Sequence, residues 1–157
     1  MAGSTIKRRI KMDQEAVKNL MYRWSEQKTM KYIRSCADPE TLFLYAFNYN
    51  WDDEFGAPKE ILKNPACTLS TALQLFYGGD GIRVLFNDLE DDEIEEWESF
   101  ITDLYARIKN GEFPTEPKIR FEPPLSTVEM YELQKNLPAE DRLFITPIDG
   151  IDCYVVL

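Results

Sequence analysis

Residues 38–50, DPETLFLYAFNYN, decide the fold. Asp38 can accept amide protons freed at a helix start and Pro39 fits the first helical turn, so the pair opens a helix. From Leu42 to Phe47 that helix is apolar on nearly every side, which predicts burial all round and a central place in the core. The chain leaves it through Trp51-Asp52-Asp53-Glu54-Phe55-Gly56. Pro58 then begins a short helix through Ile61 and Leu62, which Asn64 and Pro65 stop. Thr68 caps a further helix carrying Leu69, Ala72, Leu73, Leu75 and Phe76, closed by Gly78, Gly79 and Gly81.

Upstream, Val17, Leu20, Met21 and Trp24 fall at i, i+3, i+4 and i+7, one stripe of an amphipathic helix that starts at Asp13. Ser25 caps a second stretch through Met30 and Ile33, ending near Cys36. Downstream, Ile94, Trp97, Ile101, Leu104, Tyr105 and Ile108 mark a longer helix. Its amino end is acidic, Arg107 and Lys109 lie at its carboxyl end, and Asn110-Gly111 terminates it, all in keeping with the helix dipole. A proline-rich passage follows, with a short strand at Lys118 to Phe121. A last helix runs from Ser126 or Thr127 to Lys135 with Val128, Met130, Tyr131 and Leu133 as its apolar side. Leu143–Thr146 and Ile151–Val156 then flank Pro147-Ile148-Asp149-Gly150 as two short strands about a turn. The expected fold is mainly α: stacked short helices forming one core, with a small β hairpin near the carboxyl end. Residues 13–157 are read as a single globular helical domain and residues 1–12 as a basic segment, frayed, folded onto the protein's own negative face or paired with that of another copy.

The composition fits such a domain: 157 residues, 44% apolar and 13% aromatic, with a formal charge of −10. No apolar run approaches the length that crosses a bilayer, and the amino terminus has no apolar stretch behind its positive charge, so the expected compartment is the cytoplasm. The chain has no histidine, which removes the commonest general base and metal ligand together. Cys36, Cys67 and Cys153 are too scattered for a disulfide framework or a thiolate zinc site and read as buried, reduced thiols.

Charge is uneven along the chain. Residues 1–35 hold nine basic side chains against three acidic ones, leaving −16 for the rest. Half of that comes from Asp88, Glu90, Asp91, Asp92, Glu93, Glu95, Glu96 and Glu98. A solvated helix start accounts for part of this run. The rest reads as a docking surface that speeds association with a basic partner. Lys7-Arg8-Arg9-x-Lys11 lacks the interleaved aromatics of a nucleic-acid arm, and the body behind it repels phosphates.

Asn48-x-Asn50-x-Asp52 imitates the opening of a calcium loop. It lacks the glycine at the sixth position, where Asp53 stands, and the bidentate glutamate at the twelfth, where Lys59 stands. Asp52 or Asp53 is better read as accepting amide protons at a helix end. No cofactor or metal is expected.

The stretch from LFLYAFNYNWDDEFG through LKNPACTLSTALQLFYGGDG resembles the core of an uncharacterised family, domain of unknown function 4274. The family's pattern is an aromatic-rich helix, an Asn-Tyr-Asn-Trp-Asp-Asp turn, a proline-led helix and an asparagine-proline stop. WESFITDLYARIKNGEF and FEPPLSTVEMYELQKNLP resemble its later helices, extending the likeness from about Asp38 to Thr146. Thr68, where the family has aspartate, and Gly78-Gly79, where it has a more helical continuation, are departures. The resemblance implies a small acidic bacterial protein, a companion of secreted toxins, and so an immunity-type inhibitor that acts by stoichiometric binding.

The expected function is therefore a non-catalytic, cytoplasmic protein-binding module whose partner is a basic toxin domain. Its contact residues would be Asp52, Asp53, Glu54, Asp88, Asp91, Asp92, Glu95, Glu96 and Glu98. The alternatives are a carboxylate-based hydrolase without histidine, which requires a cleft beside Asp52 and Asp53, and a self-associating structural protein.

Overall fold

A computed structural model describes residues 12–89 and 95–157. The helices are α1 (Gln14–Tyr22), α2 (Glu26–Ser35), α3 (Pro39–Asn48), α4 (Gly56–Lys63), α5 (Leu69–Gly78), α6 (Ile82–Leu85), α7 (Glu95–Lys109) and α8 (Thr127–Asn136). A 3-10 helix (Ala139–Ile145) follows. Ile94, assigned to the α7 stripe, lies outside the described residues.

The starts are set by local side-chain acceptors. Asp13 accepts the Ala16 amide at 2.9 Å, Ser25 the Lys28 amide at 3.2 Å, Asp38 the Glu40 amide at 3.2 Å and Thr68 the Thr71 amide at 3.4 Å. Ser126 and Glu129 form a reciprocal capping box. The caps of α1 and α3 are joined, since Thr41 Oγ1 donates to Asp38 at 2.5 Å and accepts the Asp13 amide at 3.0 Å. The first five helices and α7 pack chiefly on the helix two places along: α1 on α3, α3 on α5, α5 on α7, and α2 on α4. That is the pattern of stacked hairpins. Helix α3 is buried from Glu40 through Ala46, as its apolar circumference requires. One core cluster runs from Val17 on α1 to Phe144 and Ile145 on the 3-10 helix.

The β hairpin does not form. Leu143–Ile145 belongs to the 3-10 helix, with Phe144 and Ile145 buried. Among the described residues the only β pairings are isolated bridges, Phe121 with Ile148 and Ile119 with Ile151. An apolar run of three reads equally as a strand or as a buried turn. Here the turn is held by Asp141, whose carboxylate accepts the Tyr105 hydroxyl at 2.8 Å and pairs with Lys109 at 3.2 Å. The partner of residues 148–151 is the 118–121 segment, not 143–146.

The apolar side assigned to α8 is also corrected. Leu133 is buried, but Val128 is 70% and Tyr131 60% exposed, because α8 lies at the periphery against the 3-10 helix. The cysteines are free; Cys67 and Cys153 are buried and Cys36 is half-buried. Among the described residues no helix is long and apolar enough to cross a membrane.

Candidate functional site

The loop between α3 and α4 is built around its aromatics. Trp51 and Phe55 pack on Phe100 of α7 with ring centroids 6.0 and 5.1 Å apart, and Trp51 also meets Tyr49 edge-on at 5.2 Å. With both anchors turned inward, Asp52, Asp53 and Glu54 between them are exposed. Asn50 Oδ1, not an aspartate, accepts the Asp52 amide at 3.0 Å. Helix α4 has no side-chain cap, so neither Asp52 nor Asp53 plays the capping part expected of it. Asn48 has a structural task. It donates to the Val155 carbonyl at 2.8 Å and accepts the Leu157 amide at 2.9 Å, tying down the last residues.

The second acidic set stands on the adjoining elements. Glu95 and Glu96 are exposed and Glu98 is half-buried in the first turns of α7. Glu96 reaches back to Lys59 of α4 at 3.2 Å. Asp88 pairs with Arg83 at 4.0 Å, and the Arg83 guanidinium lies 5.3 Å from the Trp97 ring centre. Trp97 in turn donates to the Gly79 carbonyl at 2.6 Å. The expected contact residues thus fall on neighbouring elements: the 52–54 loop beside the start of α7, with Asp88 tethered next to Trp97. Asp91 and Asp92 lie outside the described residues.

Sequence reasoning missed a cleft. It has a volume of 390 Å³ and lies between α1, α2, the end of α3 and the 49–57 loop, within the range of ligand-sized cavities. Leu20, Met21, Trp24, Met30 and Tyr49 supply its apolar walls, and Glu26, Asp53 and Glu54 its charges. Among the described residues no lysine or arginine lines it. Asp53 and Glu54 belong to it, whereas Asp52 does not. The Tyr49 hydroxyl donates to the Glu54 carbonyl. Its pKa is pushed up to about 12, first by burial and then by Asp53, Glu54 and Glu26. Tyr45 is shifted upward too, again mainly by burial, then by Tyr49 and Asp53. The tyrosines meet edge-on with centroids 5.7 Å apart. No signal in the sequence marks the cleft: Tyr45 sits in a helix apolar all round, and Tyr49 stands just past its end in extended backbone.

The family model described as Domain of unknown function (DUF4274) matches residues 37–109. This segment spans α3 to α7, includes the 52–54 loop and is similar to that family. The match stops short of the Phe121–Thr146 stretch that also carried the resemblance. No curated protein and no solved structure matches the chain.

Proposed function

We propose that this protein is a non-catalytic binding module of the immunity type. It neutralises a basic toxin domain in the cytoplasm by stoichiometric binding through its acidic surface. The observation that carries the reading is the adjacency of the 52–54 loop and the first turns of α7, bound by Lys59–Glu96 and by the Trp51 and Phe55 contacts to Phe100. Carboxylates held on packed helices form a fixed field that steers a basic partner at little conformational cost.

The test is capture of partners from source-cell lysate on the immobilised protein at low and high salt, followed by association kinetics. A single basic partner held one to one, captured more slowly as salt rises, is the expected result. Asp52→Lys, Glu95→Lys and Glu96→Lys combined should slow association on the order of tenfold or more at low salt while leaving the fold intact. Unchanged kinetics would overturn electrostatic docking.

The cleft favours one other reading, a carboxylate hydrolase, because Glu26 and Asp53 reach it from separate elements. That reading requires turnover of some substrate and its loss in Asp53→Asn.

A further inference from the structure

The cleft carries more than its charges. Tyr45 is only 4% exposed and Thr29 only 7%, and both line it. Among the described residues neither hydroxyl has a hydrogen-bond partner. Polar groups this deeply buried ordinarily have partners. Glu26, Asp53 and Glu54 likewise form no ion pair among the described residues. Lys28 lies over the Trp24 ring at 4.7 Å and does not line the cleft.

Five oxygen-bearing side chains with unused acceptors therefore surround a cavity walled by Trp24, Tyr49 and methionine. An ammonium has three donors on a compact head. A guanidinium has five in a plane, stacks on aromatic faces and gives up its hydration more readily. Its three-carbon stem suits apolar walls. We propose that the cleft receives one arginine side chain of the basic protein partner. The guanidinium meets Glu26, Asp53 and Glu54 at the rim and the Tyr45 and Thr29 hydroxyls inside, and the stem lies against Trp24 and Met30. The assignment rests on the protein-binding reading above and makes this cleft the anchor point of that interface. A charge desolvated among aromatic walls is the kind of contact that dominates an interface, whereas rim carboxylates chiefly steer.

The proposal is testable without the partner. The protein is titrated at low salt with a blocked glycine-arginine-glycine tripeptide, and with its citrulline analogue, of nearly the same shape but uncharged, while backbone and indole resonances are followed by NMR. The expected result is saturable millimolar binding that moves the Trp24 indole and the Gly56 and Ala57 amides, with the citrulline peptide about tenfold weaker. Tyr45→Phe removes only an unpartnered hydroxyl and Asp53→Asn an exposed charge. Both should fold normally and bind the arginine peptide several-fold more weakly. Equal binding of the two peptides would overturn the assignment, as would shifts confined to residues 95–98 or a Tyr45→Phe variant that binds as the parent does. Agmatine binding more tightly than the peptide would overturn the macromolecular source in favour of a free organic cation. A basic partner captured by the protein while the peptide fails to bind would remove the cleft assignment and leave the acidic surface standing.

Discussion

The indole of Trp51 rests on Gly78. A β-carbon at position 78 would stand 2.4 Å from Nε1 and 2.7 Å from Cε2 of that ring. The last turn of α5 is therefore a seat for the loop that carries Asp52, Asp53 and Glu54, and only a residue without a side chain provides it. Gly78 and the Trp51-Asp52-Asp53 turn are two halves of one contact.

Gly78→Ala should destabilise the protein by about 1–3 kcal/mol through forced overpacking, despite the better helix propensity of alanine. In a Trp51→Leu background the obstructing ring is gone, and the same change should become neutral or stabilising. Urea denaturation of the four proteins of the cycle reads the coupling directly.

Asn64 is the buried tie between α2 and α4. Its side-chain amide donates to the Ile33 carbonyl at 2.7 Å and the Cys36 carbonyl at 2.8 Å, and its oxygen accepts the Ala66 amide at 2.7 Å. Asn64→Ala removes all three of these buried hydrogen bonds and should cost about 2–4 kcal/mol, several times the loss from truncating an exposed polar side chain. Denaturation midpoints at constant slope would measure it.

Asn48→Ala should release the last residues without melting α3. Hydrogen exchange at Leu157, whose amide Asn48 accepts, should accelerate by an order of magnitude or more, while amides in the middle of α3 keep their protection. Unchanged exchange at Leu157 would show that the tether lies elsewhere.

Alkaline pH should destabilise the fold earlier than tyrosine ionisation alone would. Burial pushes the Cys67 and Cys153 thiols up to about 12 from 9.0. The native state thus keeps its protons where the unfolded chain has lost them, and this contribution is whole below pH 9.0 and lost as pH rises toward 12. Tyr32, raised to about 12 from 10.0, adds the same sign from pH 10 upward. Denaturation under reducing conditions between pH 8 and 10 should show stability falling with pH, and Cys67→Ala with Cys153→Ala should flatten that slope whatever it does to the absolute stability.

The helix starts were legible because their physics is local: Asp13, Ser25, Asp38, Thr68 and Ser126 each accept an amide two or three residues on. The α3 core position was legible because no other place suits a helix apolar all round. The carboxyl-terminal half was harder. Leu143, Phe144 and Ile145 have no period to read, and Asp141, which fixes their turn, is held by Tyr105 from far away in the chain. Of the site, the exposed acids were visible as a charge run. The cleft was not, because it arises from packing α1 and α2 against the end of α3, and Tyr45 within an apolar helix looks like ordinary core.

Helix α5 lies inside the segment that matches the family, yet three of its bonds reach beyond it. Pro114 accepts the Leu69 amide at 2.8 Å, Ile119 accepts the Ser70 hydroxyl, and Phe144 accepts the Tyr77 hydroxyl at 2.8 Å. A fragment cut at residue 109 would strip these groups of their acceptors and bare the apolar surface that Phe121 and Phe144 cover. The recognisable domain and the cooperative folding unit have different edges, and any truncation should follow the second.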